Sequence, residues 1–271
     1  MSCTIGVFDS GFGGLTVLRE LLPRIPGARY LYVGDTARLP YGSKSRTTIA
    51  RYAVESARFL LDRGAETLVI ACNTATALAL PDIHAAAGRT PVVGVIGPGT
   101  HAAQAAVPNG HHPHVLVLAT AATVESHAYQ LALSKLTLPA TEKACPLLVP
   151  LIEEGWVDQP VTQEVLRIYL REALDTCTPD IVLLGCTHYP LIAPLVTRTL
   201  RELGSAAQVI DSARATARAV SLQLPNPPTP APPTGATFHC YATDSVEKFA
   251  RLGSQFLGQP IPKVELLDLG G

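Results

Sequence analysis

The segment TLVIACNTATA, Thr67–Ala77, passes from an apolar run through a cysteine into small polar residues and a helical pattern. DIVLLGCTHYP, Asp180–Pro190, repeats that order. Runs that are apolar at every position, rather than at alternate ones, fit strands covered on both faces, as in a parallel sheet. Similar runs begin at Thr4 (TIGVF), Tyr30 (YLYV), Pro91 (PVVGV), His114 (HVLVLA) and Gln208 (QVI). The segments between them carry apolar residues at spacings of three and four. Ser43–Arg46 opens one such helix, TTIARYAVESARFLLDRG, and Gly64 ends it. Further helices are expected after Gly13, after Asn73, and over 99–107, 161–175, 190–203, 213–224 and 244–257. The alternation predicts an α/β fold.

A chain of 271 residues suits one large domain or two smaller ones, and two lobes are expected. The net charge is -1, without a block of like charge, which argues against nucleic acid or an anionic membrane as partner and favours a small molecule. The first residues enter a strand-like run with no signal-peptide pattern, so a cytoplasmic protein is expected. No stretch reaches the roughly 18 apolar residues of a membrane span. The cysteines, Cys3, Cys72, Cys145, Cys177, Cys186 and Cys240, are scattered without a CxxC, so free thiols and no metal site are expected. HHPH at 111–114 reads as a solvated loop. LPNPPTPAPPTG at 224–235 reads as an exposed connector, after which the C-terminal tail folds back onto the first lobe.

Polar chemistry concentrates where apolar runs end, the place at which parallel sheets gather ligands. In DSGFGG, Asp9–Gly14, the glycines let backbone approach a ligand, while Asp9 alternatively caps the next helix. The stretch fits neither the P-loop nor the full dinucleotide fingerprint. Pro40-Tyr41-Gly42 is either a rigid turn aiming N–H groups inward or an ordinary surface turn. Cys72 and Cys186 each precede an expected helix start, where the dipole lowers a thiol pKa from about 8.5 toward roughly 3.5–7.5. A single buried cysteine is usually a small hydrophobe, but a duplicated setting suggests a duplicated role. His188 reads as an orienting or proton-handling group beside the second thiol, or as a structural histidine. In VPLIEEGW, Val149–Trp156, adjacent carboxylates point differently. One of Glu153 and Glu154 enters a site, or the pair marks a charged helix start.

Taken in order, IGVFDSGFGGLTV (Ile5–Val17), GDTARLPYG (Gly34–Gly42), ACNTATA (Ala71–Ala77), CPLLVPLIEEG (Cys145–Gly155) and LGCTHYPLI (Leu184–Ile192) resemble the glutamate racemases of the aspartate/glutamate racemase superfamily. The resemblance covers essentially the whole chain. It implies two similar α/β lobes, each a mostly parallel sheet flanked by helices, comprising 1–94 plus 208–271 and 95–207, with the active site in the cleft between them. It implies catalytic thiols at Cys72 and Cys186, assisted by Asp9 and His188, with Glu153 chosen over Glu154 by its spacing to Cys186. Substrate contacts are implied for Asp9, Ser10, Pro40, Tyr41, Gly42, Asn73, Thr74, Thr120, Thr187 and His188. It further implies glutamate as substrate, no cofactor, D-glutamate supplied for peptidoglycan synthesis, and a homodimer. Thr76 stands where serine is common in that family.

The chemistry gives the duplication a reason. Racemisation takes the α-proton from one face of a flat carbanionic intermediate and returns one to the other, so two near-equal acid/base groups are needed. Pyridoxal phosphate would require a Schiff-base lysine. Lys44, Lys135, Lys143, Lys248 and Lys263 all stand in polar or peripheral contexts. Two other readings stay open: covalent attack by one cysteine, and an amino-acid-binding module without turnover.

Overall fold

In the computed structural model of the protein, residues 3–107, 113–224 and 237–270 are described. The connector at 225–235 and the loop histidines His111 and His112 lie outside them. The elements run β1 (Thr4–Asp9), α1 (Leu15–Arg24), β2 (Arg29–Gly34), α2 (Arg46–Asp62), β3 (Thr67–Ile70), α3 (Asn73–Ala87), β4 (Val92–Gly94), α4 (Ile96–Ala105), β5 (Val115–Ala119), α5 (Ala121–Glu125) and α6 (Ala128–Ser134). They continue with β6 (Ala140–Ala144), α7 (Leu148–Glu153), α8 (Pro160–Leu174), β7 (Ile181–Gly185), α9 (Ala193–Glu202), β8 (Gln208–Asp211), α10 (Ser212–Gln223), β9 (Thr237–Ala242), α11 (Val246–Leu257) and β10 (Val264–Leu266).

Two compact units result, Met1–Val95 with Ala213–Gly271, and Ile96–Ser212. The first holds a six-stranded sheet in the order β10-β9-β2-β1-β3-β4, the second a four-stranded sheet in the order β6-β5-β7-β8. Every strand pairing among the described residues is parallel. The expected return to the first lobe at 208 is corrected. β8 pairs with β7, Val182 opposite Val209, so its backbone groups are satisfied in the second sheet and the chain crosses back after Ser212. The C-terminal tail does join the first sheet, where β9 lies beside β2.

The continuous apolar strands are covered on both faces. In the first unit one face packs Phe8, Leu31, Val33, Leu68 and Ile70 against Ile49, Ala53, Ala57 and Leu60 of α2 and Ala75, Ala79 and Ile83 of α3. The helix residues recur every three or four positions, and the alanines allow close approach to the sheet. Each fully buried Leu or Ile contributes about 1.5–3 kcal/mol by removal from water. On the other face Phe249 of α11 meets Phe12 and Tyr32, each at a ring separation of 5.9 Å. Ser45 caps α2, accepting the Thr48 N–H at 3.3 Å, and Gly64 past its end takes φ +88°.

Gly34 closes β2 where nothing larger fits. A Cβ there would collide with the Gly11 carbonyl oxygen and stand 2.5 Å from a Phe249 ring carbon. Gly34→Ala is therefore expected to destabilise the protein by about 1–3 kcal/mol, read as a lowered midpoint in chemical denaturation. An unchanged midpoint would show that the loop after β1 yields freely.

Candidate active site

In the first unit, β1, β2 and β3 are neighbours, so their carboxyl ends bring Asp9, the turn at Tyr41 and Cys72 to one edge of the sheet. Cys72 is buried and forms the N-cap of α3, its sulfur accepting the Ala75 N–H at 3.4 Å. Its S–H donates to Ser10 Oγ at 3.5 Å. Asn73 and Thr74, both buried, open the helix. Asp9 does not cap α1, whose N-cap is Gly14 and carries no side-chain bond. Instead the Asp9 carboxylate accepts the Gly11 N–H at 2.9 Å and bends the chain back on itself. Gly14 leaves it room, since a Cβ there would lie 2.5 Å from that of Asp9.

The expected lowering of the Cys72 pKa does not occur. Burial, then the Asp9 charge, push it up to about 12, more than the Ser10 and Ala75 hydrogen bonds offset. Desolvation is the largest influence, and it keeps Cys72 a thiol near neutral pH. Tyr41, also buried, donates its hydroxyl to Asp35 at 2.5 Å, while Gly42 is half-buried and Pro40 is exposed.

In the second unit, β5 and β7 lie side by side, with Ala119 opposite Gly185. Thr120 therefore stands at the strand end beside that of Cys186, its hydroxyl 3.0 Å from that of Thr123. Cys186, Thr187 and His188 are buried. The helix expected at Pro190 begins instead at Ala193, after a single turn over Tyr189–Ile192, so Cys186 is not the cap of an α-helix. A histidine lies beside the thiol instead: Nδ1 of His188 is 3.8 Å from the Cys186 sulfur, and Nε2 is 2.9 Å from a Glu153 carboxylate oxygen. Burial alone would lower the His188 pKa, but the hydrogen bonds and charges of Cys186 and Glu153 prevail and raise it to about 10. Glu153 ends α7 rather than starting a helix, and its neighbour Glu154 is exposed.

Further residues support these clusters through contacts that their motifs do not announce. The Tyr189 hydroxyl donates to the Cys145 carbonyl at 3.0 Å and reaches that of Ala119 at 3.4 Å, tying together the ends of β5 and β6. Asp35 and Arg38 lie inside the quoted GDTARLPYG, but their importance depends on partners distant in sequence. All six cysteines are free. Among the described residues no three His, Cys, Asp or Glu side chains gather to hold a metal, and no helix is long and apolar enough to cross a membrane.

Parallel α/β sheets with buried thiols at their carboxyl ends, one beside a carboxylate and the other beside a histidine, define a protein of the α/β class equipped for proton transfer. The chain belongs to the Asp/Glu/Hydantoin racemase family, whose model matches residues 14–220. It is 50% identical to the glutamate racemase of Koribacter versatilis, with 98% of each chain covered. It is 41% identical to that of Geobacter metallireducens, covering 98% of this chain and 96% of the relative. The solved glutamate racemase of Francisella tularensis subsp. tularensis, in complex with D-glutamate, superimposes with a TM-score of 0.87 at 33% identity, covering 99% of this chain and 98% of that one.

Proposed function

We propose that this protein is a glutamate racemase that works without a cofactor, Cys72 serving one face of the substrate α-carbon and Cys186 the other. The observation that carries the reading is the duplicated buried thiol, one in each unit, in a chain half identical to a glutamate racemase over nearly its full length. In each direction one sulfur takes the α-proton and the other returns one, so a single thiolate and a single thiol are needed at a time. Cys72, held protonated by burial and Asp9, is suited to donate. An imidazolium at His188 offsets negative charge on the Cys186 sulfur when that atom acts as base. Glu153 holds the ring in place through Nε2.

Backbone N–H groups at Ser10, Gly42, Thr74 and Thr187, with the α3 N-terminus, are assigned to the substrate carboxylates, where charge builds as the α-proton leaves. The same proposal includes Pro40, Asn73 and Thr120 as contacts. It also includes a homodimer, a cytoplasmic site of action, and use of the D-isomer in peptidoglycan synthesis, all on the family resemblance. The test is circular dichroism of purified protein with L-glutamate, with and without added pyridoxal phosphate. The signal is expected to decay to zero at the same rate in both. A signal that persists, or decays only with the cofactor, would overturn the reading.

A further inference from the structure

One buried ionic node in the first unit is used by neither thiol. Asp35 follows β2 directly and is fully buried at 0% exposure. Its carboxylate accepts the Tyr41 hydroxyl at 2.5 Å, Arg38 Nε at 2.9 and 2.8 Å, and the Thr243 hydroxyl at 2.9 Å. Its own N–H donates to the Asp9 carbonyl at 3.1 Å, which joins the node to the strand end beside Cys72. Arg38 also bonds to Glu55 of α2 and lies 4.1 Å from the centre of the Tyr52 ring. Thr243, 208 residues further along the chain, accepts the Ala37 N–H at 2.9 Å with the oxygen that donates to Asp35. Next to it, the Thr36 hydroxyl donates to the Asp244 carbonyl at 2.7 Å and accepts the Asp244 N–H at 2.9 Å.

We propose that Asp35, Arg38 and Thr243 are positioning residues that act through the Tyr41 hydroxyl, holding the Tyr41–Gly42 turn in the arrangement that binds the substrate carboxylate. The proposal rests on the racemase reading for the identity of the ligand. A buried carboxylate is tolerable only when its lone pairs are filled, and here one conformation of 35–41 fills them, so departures from it are costly. A short turn without such a node would sample alternatives at little cost. Affinity falls in proportion to the fraction of molecules in the competent arrangement. Loosening the node therefore raises KM and leaves kcat, measured on occupied enzyme, nearly unchanged. The C-terminal tail gains a role from the node, because β9 runs beside β2 and delivers Thr243 to the loop that β2 begins.

Thr243→Val removes the hydroxyl at nearly constant volume, and Thr243→Ser retains it. With the full chain, Thr243→Val is expected to raise KM for both glutamate enantiomers about tenfold, equivalent to about 1.4 kcal/mol of binding, with kcat within about twofold of wild type. Thr243→Ser should restore KM. A lowered melting temperature with unchanged KM, or a loss confined to kcat, overturns the proposal. Hydrogen exchange over residues 36–44 supplies a readout that needs no substrate. Those amides should exchange about tenfold faster in Thr243→Val, and equal rates overturn the clamp. A wild-type chain that never racemises glutamate would instead remove the functional reading, with the exchange result standing by itself.

Discussion

Serine at position 72 or at position 186 is expected to lower kcat for glutamate racemisation by about 10³-fold, since a positioned acid or base contributes roughly 10²–10⁴ and a serine hydroxyl is a far poorer proton carrier than a thiol. Loss of overall turnover would follow from damage of many kinds, so the discriminating measurement is deuterium exchange in D2O. With one sulfur gone, the other still faces its own enantiomer and can remove and return the α-hydrogen on that side. Each variant is thus expected to exchange one enantiomer without interconverting the two, Cys72→Ser and Cys186→Ser retaining opposite ones. A covalent mechanism centred on one thiol predicts that one substitution is silent and that an adduct appears by mass spectrometry. A binding module predicts no exchange even in wild type. Either variant keeping a tenth or more of wild-type kcat, or both exchanging the same enantiomer, would sink the two-thiol assignment.

The sequence made the strands that matter readable because they are buried on both faces. TLVI, IVLL and VLVLA carry no polar interruption, so an unbroken apolar run announced each one. β6 was invisible for the opposite reason. ATEKA is a half-exposed edge strand whose Thr, Glu and Lys give no apolar signal, and the short helices α5 and α6 beside it are too brief for a periodicity. Both thiols were legible from their position after a strand, but not their electrostatics. Written out, ACNTA and GCTHY look alike; folded, one is the buried cap of an α-helix and the other a turn with His188 beside its sulfur. That difference depends on a contact between His188 and Glu153 spanning 35 residues, just as the Asp35 node depends on Thr243, and no local pattern encodes such pairings.

The second large effect is expected at His188. Its raised pKa, about 10 against 6.5 for the free side chain, keeps the imidazole cationic across neutral pH. If that cation supports Cys186 as base, kcat/KM should hold steady on the alkaline side until about pH 10 and then fall as the ring loses its proton. His188→Asn should lower kcat/KM by about 10²-fold and abolish that limb. Glu153→Gln makes the sharper test. It removes one of the influences that raise the pKa and leaves the desolvation that lowers it, so the alkaline limb should move toward neutral pH. Stability should follow the same sign. A folded-state pKa above the unfolded one means that the favourable contribution of His188 is complete below about pH 6.5 and is lost as pH rises from there through about 10. The difference in unfolding free energy between wild type and His188→Asn should accordingly shrink across that interval. A Glu153→Gln profile superimposable on wild type would mean that the 2.9 Å contact does not set the charge of the ring, and that Cys186 must find its counter-charge elsewhere.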